Sequence, residues 1–96
     1  MTSSDQKIFD IIKKSIQDVK TVDEKNIQLN SYVGQDIGLD SIGVVDLWFE
    51  IKKNSKHPFD INDFFEFIKK QNLKNLKNDF KIEVVFDYIK LKMASK

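Results

Sequence analysis
Cysteine is missing from this 96-residue chain, and so is arginine; there is one proline, one histidine and three glycines. Without cysteine there is no disulfide and no thiolate metal site, which fits a reducing compartment. Any thiol chemistry would have to come from an added group. Without arginine the favoured bidentate contacts to phosphate and guanine are lost, which argues against a nucleic-acid partner. So few glycines and prolines leave little room for many tight hairpins. No apolar run approaches the ~20 residues that a membrane helix needs, and the start Met1-Thr2-Ser3-Ser4-Asp5-Gln6 holds no apolar signal-type segment. The expectation is a cytoplasmic protein that does not span a membrane, with residues 1–96 as a single domain.

What is present is 41% hydrophobic and 32% charged residues, an ordinary balance for a globular domain. The net charge is +1, but it is unevenly spread. Residues 31–51 hold four acids, Asp36, Asp40, Asp46 and Glu50, and no base, whereas residues 52–96 hold eleven lysines against six acids. The acidic stretch reads either as a solvated face or as a docking surface for basic partners.

Apolar residues recur at helical spacing in four places. Ile8, Phe9, Ile12, Ile16 and Val19 predict a helix over about 5–20, with Ser3, Ser4 and Asp5 as capping types. Asp40-Ser41 predicts the start of a second helix that runs to about Lys53, capped by Asp40. Seven of the ten residues from Ile42 to Ile51 are apolar, more than one buried stripe needs, so some should be exposed or line a cavity. A short third helix is expected over about 63–71, capped by Asn62 or Asp63, and a last one over about 80–92, capped by Asn78 or Asp79. Between the first two helices, residues 21–40 read as a long ordered loop whose anchors are Ile27, Leu29, Tyr32, Val33, Ile37 and Leu39. Residues 71–78 read as a connector anchored by Leu73 and Leu76. The fold class is all-α, a four-helix bundle with a long first loop. Its expected core is Ile8, Ile12, Ile16, Leu47, Ile51, Val85 and Ile89.

Catalytic and metal readings fail on spacing. A calcium loop begun at Asp36 needs glycine at its sixth position and glutamate at its twelfth, where Ser41 and Leu47 stand. Gly34 and Gly38 are not followed by the Gly-Lys-Ser/Thr of a phosphate loop. Ser41 has no identifiable base, since His57 is expected to be an exposed loop residue. What remains is a serine in the first turn of a helix, after an aspartate, at the end of a long loop. An anionic group on it would sit at the positive end of the helix dipole.

The stretch Asp36-Ile37-Gly38-Leu39-Asp40-Ser41-Ile42 resembles the Asp-Leu-Gly-x-Asp-Ser-Leu signature of the acyl carrier protein family, with Leu-to-Ile swaps. The resemblance extends from Val22-Asp23 through Ile27 and Ser31-Tyr32 to Val45-Asp46-Leu47, and on to the terminal Val84-Val85-Phe86-Asp87-Tyr88-Ile89. It implies a non-enzymatic monomer that carries acyl or related intermediates as thioesters in fatty-acid, lipid or secondary-metabolite biosynthesis. The implied cofactor is 4'-phosphopantetheine, transferred from coenzyme A to Ser41 by a phosphopantetheinyl transferase. The implied partners are that transferase and enzymes of acyl loading and transfer. They would dock on Asp36, Ile42, Val45, Asp46, Phe49 and Glu50, beside Asp40 and Ser41 of the motif.

Three features depart from the family pattern. Gly43 stands where many members carry an acid, Lys52 and Lys53 stand on a helix that is usually acidic, and the region before the last helix is longer. The phenylalanines of that region, Phe64, Phe65, Phe67 and Phe80, read as core or as a cargo pocket. The alternative from another class is a helical protein-interaction module without a prosthetic group, suggested by the surplus apolar residues Val45 and Phe49.

Overall fold
The computed structural model describes residues 2–70 and 79–94. These described residues form an all-α bundle of four helices: α1 (Ser3–Val19), α2 (Ser41–Ser55), α3 (Ile61–Lys70) and α4 (Ile82–Ala94). A single 3-10 turn, Glu24–Asn26, punctuates the long loop between α1 and α2. The expected connector over 71–78, with Leu73, Leu76 and Asn78, lies outside the described residues.

The helices start where side chains or carbonyls satisfy their first N–H groups, and this moves several expected caps. Thr2, not Ser3 to Asp5, caps α1: its hydroxyl accepts the Asp5 N–H at 3.1 Å. Asp40 caps α2 as expected, accepting the Gly43 N–H at 2.8 Å. Asp60, not Asn62 or Asp63, opens α3, where its carboxylate takes the Asn62 N–H at 2.8 Å and its carbonyl the Phe64 N–H at 3.0 Å. Asp79 does not cap α4. The carbonyls of Ser31 and Leu29 receive the N–H groups of Ile82 (2.9 Å) and Glu83 (2.8 Å), so the first loop caps the last helix. At the other end of α2, Lys56 takes a left-handed conformation (φ 57°) and stops the helix two residues past the expected Lys53.

The expected core is present: Ile12, Ile16, Leu47, Ile51, Val85 and Ile89 are fully buried, and Ile8 is nearly so. Ser15 is buried among them, but its hydroxyl donates to Ile11 O (2.7 Å) and accepts from Asn54 Nδ2 (2.9 Å), so its own oxygen is paired as donor and acceptor. A second, aromatic layer lies under α3. Trp48 packs on Phe64 at 4.7 Å and edge-on against Tyr88 at 5.4 Å, and Phe64 meets Phe80 at 5.2 Å. The phenylalanines thus divide: Phe64 and Phe80 are core, Phe67 is half-buried against Tyr88, and Phe65 is exposed.

Tyr88 and Lys92 both reach Asp63, at 2.7 Å and 2.9 Å, and tie α3 to α4. The Tyr88 hydroxyl, then the Lys92 ammonium, hold the Asp63 carboxyl below the ordinary range. Burial, then the Asp63 hydrogen bond, push the Tyr88 hydroxyl up. Since folding lowers the affinity of Asp63 for its proton, its contribution is complete above the unfolded value of ~3.9 and is lost as pH falls through the lower folded one. Tyr88 has the opposite sign: its contribution is complete below ~10 and is lost as pH rises toward the folded value. Asp63→Asn should therefore lower the midpoint of thermal unfolding near neutral pH and reduce the further loss seen on acidification below about pH 4. Thermal melts across that range would show it, and an acid profile parallel to that of the parent chain would mean that the tie contributes nothing.

Candidate functional site
Ser41 is the first residue of α2 and is exposed. Its placement depends on the loop that delivers it. The chain from Tyr32 to Leu39 folds back on itself: the N–H groups of Asp36 and Ile37 both donate to Tyr32 O, that of Gly38 to Gly34 O and that of Leu39 to Val33 O, at 2.9–3.1 Å. Val33, Ile37 and Leu39 are buried, as is Ile27. Tyr32, expected as an anchor, is exposed instead, with the Lys81 ammonium over its ring. Gly38 has φ +90°, a conformation that a side chain would strain. A Cβ there would also stand 2.6 Å from the Lys20 ammonium, which donates to Gly38 O at 3.0 Å.

Asp79 clamps this loop from the far side of the sequence. Its carboxylate accepts the N–H groups of Gly34 (2.7 Å), Gln35 (2.9 Å) and Phe80 (2.9 Å). No local pattern marks this role, since Gly34 and Gln35 lie 45 and 44 residues from Asp79. The backbone of Val33 also donates to Phe80 O at 2.9 Å.

Ser41, Asp40 and Asp79 lie on the rim of a cleft of about 420 Å³ whose walls are Val33, Leu39, Val44, Val45, Phe65 and Phe80. Gly43, buried one turn into α2, packs so close to Leu39 that a Cβ would meet its side chain at 3.1 Å. A larger residue at 43 would push on this wall. A second groove of about 400 Å³ continues along α2 beyond Val45, lined by Trp48, Phe49, Phe59 and Ile61 with Lys52 at its edge.

The six expected docking residues are not equivalent. Ile42, Val45 and Phe49 form an exposed apolar stripe on α2, at 70%, 41% and 63% exposure, and Asp46 is exposed beside them. Asp36 is exposed, but its carboxylate is engaged by the Tyr32 N–H at 2.7 Å. Glu50 is half-buried and lies 3.8 Å from the Lys53 ammonium. His57, expected as an exposed loop residue, is half-buried and stacks on Phe59 at 4.4 Å. It follows the C-terminal end of α2, ~20 Å from Ser41 along the helix axis.

Among the described residues no group of three or more His, Asp and Glu side chains is placed to hold a metal ion, and no helix is long and apolar enough to cross a membrane. Comparison with models of known families, with curated proteins and with solved structures gives no match.

Proposed function
We propose that this chain is an acyl-carrier-type protein that holds thioester-linked cargo on a 4'-phosphopantetheine arm at Ser41. The observation that carries the reading is an exposed serine at the first position of α2, flanked by its capping aspartate and opening onto an apolar cleft. Each part has a chemical use. A modifying enzyme needs an unobstructed hydroxyl, and the exposed Ser41 offers one. The positive end of α2 favours a phosphodiester on that oxygen. The arm, once attached, supplies the terminal thiol that this cysteine-free chain lacks.

The walls Leu39, Val44, Phe65 and Phe80 suit an apolar cargo. Shelter is worth ~0.8 kcal/mol for each buried CH₂, so several methylenes together would favour the sheltered state. Modifying and loading enzymes would approach over Asp46 and the stripe Ile42, Val45 and Phe49. Incubation with coenzyme A, a divalent metal and a phosphopantetheinyl transferase, followed by intact-mass measurement, tests the reading. The expected result is a single increment of one phosphopantetheine. The same exposed stripe favours, as a second reading, a helical interaction module, for which no increment would appear.

A further inference from the structure
The exposed face of α2 has a charge and shape pattern that is complementary to itself. Residues seven apart on a helix lie within ~20° of one another around its axis. Three such columns run along this face: Ile42 and Phe49 in the middle, Val45 and Lys52 on one flank, Asp46 and Lys53 on the other. All six residues are exposed. Phe49 is the centre. Asp46 stands three residues before it and Lys53 four after it, ~4.5 Å and ~6 Å along the axis in opposite directions.

We infer that α2 pairs antiparallel with α2 of a second copy of this chain, about a twofold axis at Phe49. A twofold places each flank of one helix against the same flank of the other, reversed in direction. Asp46 of each copy then faces Lys53 of the other, twice. Val45 lies on the aliphatic stem of Lys52, and the two Phe49 rings meet at the axis. A parallel pair would bring opposite flanks together, setting Lys53 against Lys52 and leaving Asp46 against Val45 without a basic partner, so charge selects the antiparallel arrangement. Lys53 is free to turn outward. Its 3.8 Å pairing with Glu50 is on its own helix, and its side chain is 75% exposed, where such a pair is worth little. One helix per copy buries less than the ~1,200 Å² of a tight complex. The pairing is therefore weak, and the expectation of a monomer holds only in dilute solution. The paired state covers the stripe beside Ser41. The inference does not depend on the carrier reading, because no arm or enzyme enters it.

Sedimentation equilibrium of the full chain from ~10 μM to ~1 mM tests the pairing. The parent chain is expected to move from monomer to dimer over this range, less so at high salt. Asp46→Lys and Lys53→Asp, each alone, place like charges opposite one another and should weaken self-association by at least ~10-fold. Mixed in equal amounts, the two variants restore both Asp–Lys pairs and should associate as the parent does. Circular dichroism checks that both fold, which their exposure favours. Three results would overturn the inference: a parent chain monomeric at ~1 mM, variants that dimerise as well as the parent, or a mixture no better than its components. The first would leave the face to a different protein partner.

Discussion

Ser41→Ala is expected to fold like the parent and to gain no phosphopantetheine at all. The hydroxyl is exposed, and the cap of α2 comes from the Asp40 carboxylate on the Gly43 N–H, not from Ser41. Alanine is also the best helix former, so the first turn of α2 loses nothing intrinsic. Attachment, by contrast, has no substitute route. The Ser41 oxygen would displace adenosine 3',5'-bisphosphate from coenzyme A and give up its proton, and alanine has no oxygen to offer. Ser3, Ser4, Ser15, Ser31, Ser55 and Ser95 remain in the variant as internal controls. Intact mass after treatment with transferase and coenzyme A, beside a thermal melt, separates the two effects. An increment on the alanine variant would refute the assignment, whereas no increment on either protein would refute the carrier reading itself.

Leu47→Ala should strongly destabilise the core that links α1, α2 and α4. Leu47 is fully buried in the cluster that also holds Ile12, Ile16, Ile51 and Ile89. Removing its branched end loses transfer free energy and leaves a cavity, together costing ~2–5 kcal/mol. A domain of this size is stable by only ~5–15 kcal/mol, so the variant should unfold at clearly lower denaturant, with an unchanged slope if it remains two-state. Ile42→Ala, on the same helix but 70% exposed, is the matched control and should change stability by no more than ~0.5 kcal/mol. Equal losses at the two positions would mean that the faces of α2 are misassigned.

Periodicity made the four helices and the central core legible, because a 3.6-residue repeat of isoleucine and valine has only one face to bury. It failed where a helix end is decided by something remote. The start of α4 illustrates this: Asn78 or Asp79 looks like a cap, yet the carbonyls of Leu29 and Ser31 occupy the N–H groups that a cap would serve. Asp60 displaced Asn62 and Asp63 for a local reason, a carboxylate two residues earlier with the right reach. The surplus apolar residues of α2 were visible as a count. Which of them are exposed followed only once the rest of the fold had covered Leu47, Trp48 and Ile51.

For the site, the sequence alone determined the local chemistry: a serine opening a helix, its aspartate cap, a glycine turn before it, and no cysteine or arginine anywhere in the chain. These depend on residues within a few positions of Ser41, where short-range sterics and hydrogen bonding decide the outcome. Only the tertiary structure decided what surrounds that serine. The cleft takes walls from the first loop, from α2, from Phe65 of α3 and from Phe80. Its loop wall is held by Asp79 across some 45 positions of sequence. No local pattern encodes such a contact: a carboxylate accepts an amide hydrogen equally well from a neighbour or from across the fold, and only chain packing brings Gly34 and Gln35 within its reach.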